Sequence, residues 1–207
     1  MSQKSQIKLG DIAVRELDPQ TWKDFERLFE RHGGVWGGCW CMYYHVPEGW
    51  SGRTAKQNRA DKKELVQNGE AHGLLLYNAG DPIGWCQYGP PKELPLIDRK
   101  KSYHNAKALM NRKKKSYRTA KHFWRLTCFF VDKRYRNKGV ARLLLDAALI
   151  FMKEHGVKMV EAYPIDTSRG KYRSDFLWPG AVKLFTSAGF NVVAKFGKKT
   201  RIVQKKL

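Results

Sequence analysis

One segment of the sequence, from Trp124 to Ile165, constrains the fold more than any other. The apolar run WRLTCFFV is followed by the helical stretch RYRNKGVARLLLDAALIFMKEHG and then by a second apolar run, VKMVEAYPI. A single helix that connects two strands of one sheet makes those strands parallel, and the connection is expected to be right-handed. The segment therefore predicts an α/β fold, with a mixed sheet that contains one parallel βαβ unit and is flanked by helices.

The rest of the chain is expected to add helices and antiparallel strands to this unit. Strands are predicted from alternating or continuous apolar runs, and helices from apolar residues at a spacing of three or four. In chain order, the predicted elements are a strand at 11–17, an amphipathic helix from Asp18 to Gly33, a charged helix at 53–67, a hairpin of Leu74–Tyr77 with Ile83–Tyr88, a helix at 179–187, and the strands NVVAKF and TRIVQ.

The length and composition predict one globular domain over residues 1–207. Apolar residues make up 42% of the 207, which is enough for a buried core. No run of 18 apolar residues is present, and the polar residues 1–11 contain no apolar signal core. We therefore expect a cytoplasmic protein that does not associate with membranes. The sequence leaves a homodimer open.

Positive charge is concentrated in one segment. The formal net charge is +21, and Arg99–Lys121 contains ten basic residues and no acidic one. Such a run is expected to attract an acidic partner or a nucleic acid, and a solvated surface is the alternative. The run is predicted to belong to a basic insertion of uncertain structure at about 98–121, with some helical character at Ala106–Met110.

The four cysteines do not have the spacing of a structural zinc site. Cys39 and Cys41 are separated by one residue, whereas zinc sites use pairs separated by two to four, and Cys86 and Cys128 are isolated. No metal site is expected. The thiols are predicted to be reduced and mostly buried.

A glycine-rich stretch at 33–50, GGVWGGCWCMYYHVPEGW, is neither helical nor disordered in pattern. Its large aromatic residues either line a pocket or pack beneath the loop as ordinary core, and the sequence leaves both alternatives open. These residues are Trp36, Trp40, Tyr43, Tyr44 and Trp50.

The start of the long helix is a predicted phosphate site. The first backbone N–H groups of a helix have no partner within it, and the helix dipole places partial positive charge at that end. Gly139 allows a bulky anion to approach the backbone, Arg136 and Lys138 add full charges, and Ala141 keeps the second turn small.

The pattern Arg136-x-x-Gly139-x-Ala141 after an apolar strand resembles the signature of the GNAT superfamily of acyl-CoA-dependent N-acetyltransferases. That signature is Arg or Gln, two residues, Gly, one residue, and Gly or Ala. The order of strand, motif, long helix, strand and short helix ending in AGF is also similar over Trp124–Val193. The order of elements over 11–87 suits the same family.

The resemblance implies that acetyl-CoA is the acyl-donor cosubstrate. Pantetheine would pair with the strand at Phe129, Phe130 and Val131, and the thioester would lie where the two parallel strands diverge. The pyrophosphate would be bound by the residues Arg136, Asn137, Lys138, Gly139, Val140 and Ala141.

The residues of acid and base catalysis depart from the family pattern. Leu184-Phe185 stands where the family often has Leu-Tyr, and a phenylalanine cannot donate a proton. The acidic residue that the family often has on the motif strand is also missing. We predict that Tyr163 donates the proton and that Asp166 binds the amine or abstracts its proton through water. The alternatives are a packing role for Tyr163 and a turn role for Asp166.

Two functions remain at this stage. The first is an N-acetyltransferase that acts on a primary amine of a small molecule or peptide, with an acceptor that the sequence does not identify. The second is a GNAT-like protein that binds nucleic acid or the ribosome with little turnover.

Overall fold

The structure, a computed structural model, describes residues 9–49, 51–112, 123–170, 172–173 and 176–207. Within these ranges the chain forms a seven-stranded sheet in the order β1-β2-β3-β4-β5-β7-β6. The strands are β1 (Ile12–Glu16), β2 (Gly73–Asn78), β3 (Asp81–Gly89), β4 (Phe123–Val131), β5 (Met159–Ala162), β6 (Asn191–Phe196) and β7 (Thr200–Lys206).

Helices cover both faces of the sheet. They are α1 (Trp22–Glu30), α2 (Ala55–Gln67), α3 (Leu96–Arg99), α4 (Lys101–Arg112), α5 (Val140–Glu154) and α6 (Val182–Thr186). Neighbouring residues of β2 point to opposite faces, so Leu76 packs with α5 and Leu75 packs with α1. Among the helices in the described ranges, none combines the length and the apolar character that a membrane span requires.

The predicted α/β class and mixed sheet are confirmed. β4 and β5 are parallel, with α5 between them in sequence, and the other neighbouring strands are antiparallel. The predicted hairpin is β2 and β3, which turn at Ala79 and Gly80.

The first helix starts later than predicted. α1 begins at Trp22, because Asp18 and Thr21 form a turn ahead of it in which each side chain accepts the other's backbone N–H. The predicted start at Asp18 and Pro19 was therefore wrong by about one helical turn.

The buried face of α5 is also rotated from the predicted one. The apolar spacing in the sequence predicts that Val140, Leu143, Leu144, Ala147, Ala148 and Phe151 face the sheet. In the structure the buried set is Val140, Leu144, Leu145, Ala148, Leu149 and Met152. A Cβ placed on Gly84 of β3 would lie 3.0 Å from side-chain atoms of both Val140 and Leu144. The helix therefore approaches the sheet closely at Gly84, and this contact fixes its rotation and leaves Leu143 38% exposed.

Part of the basic segment belongs to the core. The structure has α4 where the sequence predicted an insertion of uncertain structure. Tyr103, Ala106 and Met110 of this helix are buried in a cluster that includes Phe196 of β6 and Ile202 of β7. Arg125 of β4 is fully buried below them and is paired with Asp98 at 2.7 Å. The remaining part of the predicted insertion, 113–121, lies outside the described residues.

Candidate active site

A cavity of about 1040 Å³ opens between α1, the 33–49 loop, β4 and the start of α5. It is large enough for an extended cosubstrate. Eight of the predicted cofactor residues line the cavity: Phe129, Phe130, Val131, Arg136, Asn137, Gly139, Val140 and Ala141. The other lining residues are Arg31, His32, Val35, Trp36, Cys39, Cys41, Tyr43, Tyr44, Gln87, Cys128, Lys133, Tyr135, Arg142, Leu177, Trp178 and Leu184.

One end of the cavity is the turn before α5, which we call the phosphate end (residues 136–142). Asn137 and Gly139 have left-handed backbones, with φ of 60° and 79°. A Cβ on Gly139 would meet no protein atom within 4 Å, so the backbone there is open to a ligand. Lys138 is not among the cavity-lining residues, and its Nζ lies 5.7 Å from the ring centre of Tyr135.

The charge at this end suits a polyanion. Cationic side chains line the cavity at Arg31, Lys133, Arg136 and Arg142. Among the described residues, no aspartate or glutamate lines it. The turn and its cations therefore fit the phosphates of acetyl-CoA, which is the group that the motif implies.

The other end of the cavity lies where the parallel strands separate. β4 and β5 are paired only up to Leu126 and Ala162, so the last five residues of β4 have no partner in β5. The N–H of Phe129 donates to the carbonyl of Trp178 at 2.7 Å. The structure thus shows the predicted divergence of the strands, with the segment 177–180 across it.

Aromatic residues of the 33–49 loop take both of the roles that the sequence left open. Trp36, Tyr43 and Tyr44 line the cavity, whereas Trp40 packs in the core with Phe29 at a ring distance of 5.7 Å. Trp50 lies outside the described residues. Glycine is required at Gly34, since a Cβ there would lie 2.7 Å from the Nε1 of Trp40.

Three of the four cysteines face the same cavity: Cys39, Cys41 and Cys128. The Sγ atoms of Cys41 and Cys128 are 3.3 Å apart, and the Nε1–H of Trp85 donates to Cys41 Sγ at 3.1 Å. Cys41 is 4% exposed, and Cys128 is more exposed than Cys41. All four cysteines have free thiols in the structure.

The environments of these thiols push their pKa values apart. Burial opposes the thiolate of Cys41, but the hydrogen bond between Cys41 and Cys128, the charge of Lys62 and the Trp85 N–H outweigh it and lower the pKa of Cys41. The hydrogen bond to Cys41, followed by burial, raises the pKa of Cys128 well above its ordinary value. Burial and the charge of Cys41 raise the pKa of Cys39 to about 12.

A polar network lies behind the thiols. Lys62 is fully buried, and its Nζ lies 2.9 Å from the Nε2 of His45, which in turn lies 2.6 Å from the side-chain nitrogen of Gln87. Burial lowers the pKa of Lys62 to about 8, although the nearby thiols act in the opposite direction. Burial and then Lys62 lower the pKa of His45 well below its ordinary value, so His45 is neutral.

The predicted catalytic residues lie elsewhere. Tyr163 is 1% exposed, and its hydroxyl donates to Glu161 at 2.7 Å. Asp166 accepts from the guanidinium of Arg201 and from the backbone N–H of Ser168. Neither residue lines the cavity, and their catalytic roles stay predictions. The sequence also offers His45 and His122 as catalytic candidates without positional support; His45 lies in the network behind the thiols, and His122 lies outside the described residues.

The sequence contains only a weak signal of the thiol site. Cys41, Lys62, Trp85 and Cys128 come from four separate segments, and cysteine and tryptophan are often buried in a protein core without a functional role. Two local features could have pointed to these cysteines: Cys41 lies in a glycine-rich aromatic loop, and Cys128 directly precedes the stretch that is expected to bind pantetheine.

Comparisons with known proteins agree with this geometry. A family model described as "Acetyltransferase (GNAT) family" matches residues 22–173. No curated protein matches the sequence significantly.

Several solved structures share the fold. An acetyltransferase from Thermus thermophilus is 13% identical, with 97% of this chain and 100% of that chain covered and a TM-score of 0.54. The protein yncA from Salmonella typhimurium, solved with its cofactor acetyl-CoA, is 16% identical, with coverages of 95% and 94% and a TM-score of 0.51. Ribosomal-protein-S5-alanine acetyltransferase from Vibrio fischeri is 13% identical, with coverages of 97% and 95% and a TM-score of 0.52. At identities this low, the similarity to these structures shows a shared fold only.

Proposed function

Because the chain belongs to the GNAT family of acetyltransferases, we propose that it transfers the acetyl group of acetyl-CoA to a primary amine of a small molecule or peptide. The protein is an acyl-CoA-dependent acetyltransferase, and acetyl-CoA is the acyl donor of the family. The amine acceptor is the part that we propose.

One observation supports this function above the others. A single cavity connects the turn at 136–142 to the point where β4 and β5 separate. The phosphates and the thioester of one extended molecule can therefore be held at the two ends of the same cavity.

The chain's own groups have distinct roles in this proposal. The backbone amides around Gly139 bind the pyrophosphate, and the guanidinium of Arg136 adds charge beside it. The N–H of Phe129 binds the acetyl oxygen as the oxyanion develops, once the carbonyl of Trp178 has moved away from it. Thus the segment 177–180 must shift when the donor binds.

The lining of the cavity indicates what kind of amine it accepts. Within the described residues no carboxylate is available there to pair with an ammonium ion, whereas Trp36, Tyr43 and Trp178 offer aromatic surface. We expect an amine that reacts in its neutral form and is attached to an apolar or aromatic group. Such a group would pack against these rings.

The experiment is a binding test followed by an amine screen. Acetyl-CoA at saturation should raise the Tm, whereas acetate and free pantetheine should raise it less, because only the whole cosubstrate reaches the phosphate end. Purified protein is then mixed with acetyl-CoA and amines, and release of the CoA thiol is measured. Aryl-alkyl amines should react faster than polyamines. No Tm shift, or no acceptor-dependent thiol release with any amine, would contradict the proposed function.

A further inference from the structure

The contact between Cys41 and Cys128 in the cavity wall has no role in the proposed transfer of acetyl groups. Their Sγ atoms are 3.3 Å apart, although the two residues belong to the 33–49 loop and to β4. Both side chains line the cavity of about 1040 Å³, and both are free thiols. A molecule as small as hydrogen peroxide can therefore reach the pair from the cavity.

The surroundings of Cys41 favour a thiolate. A fully buried ammonium group such as that of Lys62 is costly unless an anion lies nearby. Among the described residues, no carboxylate forms an ion pair with Lys62, and its hydrogen-bond partner is the neutral ring of His45. Burial lowers the pKa of Lys62, and the largest charge that opposes this shift is that of Cys41. Trp85 adds a second stabilising group, because its Nε1–H donates to Cys41 Sγ at 3.1 Å.

The two thiols differ in acidity in a way that suits the two steps of disulfide formation. The first step, attack on a peroxide, requires a thiolate, and the pKa of Cys41 is lowered despite its burial. The pKa of Cys128 is raised, first by its hydrogen bond with Cys41 and then by burial. Oxidation of Cys41 removes the sulfur that causes most of this rise, so Cys128 becomes easier to deprotonate for the second step.

The geometry favours Cys128 over the other two cysteines as the partner of Cys41. A disulfide bond is about 2.05 Å long, so the two sulfur atoms have to approach by only about 1.2 Å. Cys86 is fully buried in β3 and does not line the cavity. Cys39 lines the cavity, but burial and the charge of Cys41 raise its pKa to about 12, so it stays protonated.

We infer that Cys41 and Cys128 form an oxidative modification site, a dithiol that hydrogen peroxide converts into a disulfide by way of a sulfenic acid on Cys41. Lys62 and Trp85 are positioning residues for this reaction, since they act on the sulfur of Cys41 and not on the peroxide. The inference goes beyond the proposed function and does not depend on it, because no step involves acetyl-CoA or an amine.

The reaction balances with the peroxide as the oxidant. The thiolate sulfur of Cys41 bonds to one peroxide oxygen, the O–O bond breaks, and the hydroxide that leaves takes up the proton that Cys41 has lost and becomes water. The sulfur of Cys128 then bonds to the sulfur of Cys41, the S–O bond breaks, and the departing hydroxide leaves as water with the proton of Cys128. In total, two thiols are oxidised to one disulfide, and one peroxide is reduced to two molecules of water.

The test is peptide mass spectrometry of the reduced full-length protein after treatment with one equivalent of hydrogen peroxide. Catalase removes the peroxide, N-ethylmaleimide in acidic denaturant blocks the remaining thiols, and the protein is digested with trypsin without a reductant. Trypsin places Cys128 alone in Leu126–Lys133, apart from Cys39 and Cys41 in His32–Arg53 and from Cys86 in Glu64–Lys92. We expect one linked product that joins Leu126–Lys133 to His32–Arg53 and disappears on treatment with dithiothreitol. Unreacted thiols, or a link that includes Cys86, would overturn the inference.

Cysteine variants assign the two roles. Cys39→Ser is the matched control, because it changes another thiol of the cavity, and should form the link as the wild type does. Cys41→Ser should form no link. Cys128→Ser should retain the sulfenic acid on Cys41, which dimedone traps in the His32–Arg53 peptide. A link that persists in Cys41→Ser, or a dimedone adduct on Cys128 in that variant, would contradict the assignment of Cys41 as the thiol that the peroxide attacks.

The rate of the link tests the positioning residues. Lys62→Met should slow its formation by about tenfold or more, because the thiolate loses its buried counter-ion, and Trp85→Phe should slow it a few-fold through loss of one N–H donor. Lys63→Met is the matched control, since it removes the same charge from an exposed position of α2 and should react at the wild-type rate. Trp85→Phe keeps the test decisive if Lys62→Met does not fold. Wild-type rates in folded Lys62→Met and Trp85→Phe would overturn the positioning roles.

Discussion

The two ends of the cavity are built in opposite ways. The phosphate end is one continuous segment, 136–142, whose cations are partly exposed and whose function depends on backbone N–H groups at a left-handed turn. The thioester end draws Cys41, Lys62, Trp85 and Cys128 from four segments, and most of its groups are buried. The backbone geometry of the phosphate end can thus be predicted from a short motif. The side-chain contacts of the thioester end depend on the tertiary structure, which no short motif encodes.

The largest expected effect is at the phosphate end. Gly139→Val should weaken acetyl-CoA binding by about a hundredfold or more, since the side chain blocks about two hydrogen bonds to phosphate that contribute roughly 1.5 kcal/mol each. Titration calorimetry measures the loss. Gly156→Val is the matched control, because Gly156 has a similar φ of 74° and no atom within 4 Å of a Cβ, and it does not line the cavity. Equal binding by both variants would contradict the motif assignment.

At the thioester end, the stability of the protein should depend on Lys62 and on pH. The pKa of Lys62 is lowered to about 8 in the folded protein from 10.5, so the unfolded chain binds more protons between these values. Stability from this group therefore rises with pH from about 8 to about 10.5, by at most about 1.4 kcal/mol per pH unit, and is lost as the pH falls to 8.

Lys62→Met removes this titration. Chemical denaturation at pH 8 and pH 9.5 should show wild type gaining stability relative to the variant as the pH rises. Parallel changes in the two proteins would show that Lys62 does not titrate in this range.

A smaller effect is expected at Tyr163, outside both ends of the cavity. Tyr163→Phe removes one hydrogen bond to buried Glu161, which keeps its bonds from Tyr103 and Gln204, so we expect a loss of about 1 kcal/mol in stability. Because the hydroxyl does not reach the cavity, kcat should change little. A fall in kcat of about tenfold to a thousandfold at unchanged stability would instead support the predicted role as proton donor.

The smallest effect on acetyl-CoA affinity is expected when the basic segment is neutralised. Neutralising Arg112, Lys113, Lys114 and Lys115 should leave acetyl-CoA affinity within a few-fold, because the cavity is lined by other cations. The salt dependence of any RNA binding should become flatter by up to about four units of slope, about one for each lost phosphate contact. Collapse of acetyl-CoA affinity would show that this run contacts the cosubstrate, and no change in either quantity would assign it to a solvated surface.

The sequence predicted those features that depend on neighbouring residues. The βαβ unit, the hairpin and the turn at Gly139 follow from local patterns and from backbone geometry. It did not predict features set by tertiary contacts. The rotation of α5 depends on Gly84 of a distant strand, and the burial of Tyr163 depends on α4, whose helix was only partly evident in a basic sequence.

The contact between Cys41 and Cys128 could not be predicted from the sequence for the same reason. Cys41 and Cys128 are 87 positions apart, and neither has a catalytic spacing motif. Their contact follows from the path of the glycine-rich loop, in which Gly34 approaches Trp40 and Gly38 approaches Ala55 of α2 more closely than a Cβ would allow. A local sequence pattern does not predict which distant residues such a loop contacts.

Amide hydrogen exchange with and without acetyl-CoA tests most directly the claim that one molecule spans both ends of the cavity. The account predicts slower exchange in two separate segments, 137–143 at the phosphate end and 127–131 at the thioester end, with little change in α4. S-acetylpantetheine, which lacks the nucleotide phosphates, should protect 127–131 and not 137–143. Protection that is confined to α4, or that is absent from both ends at saturating acetyl-CoA, would contradict the account.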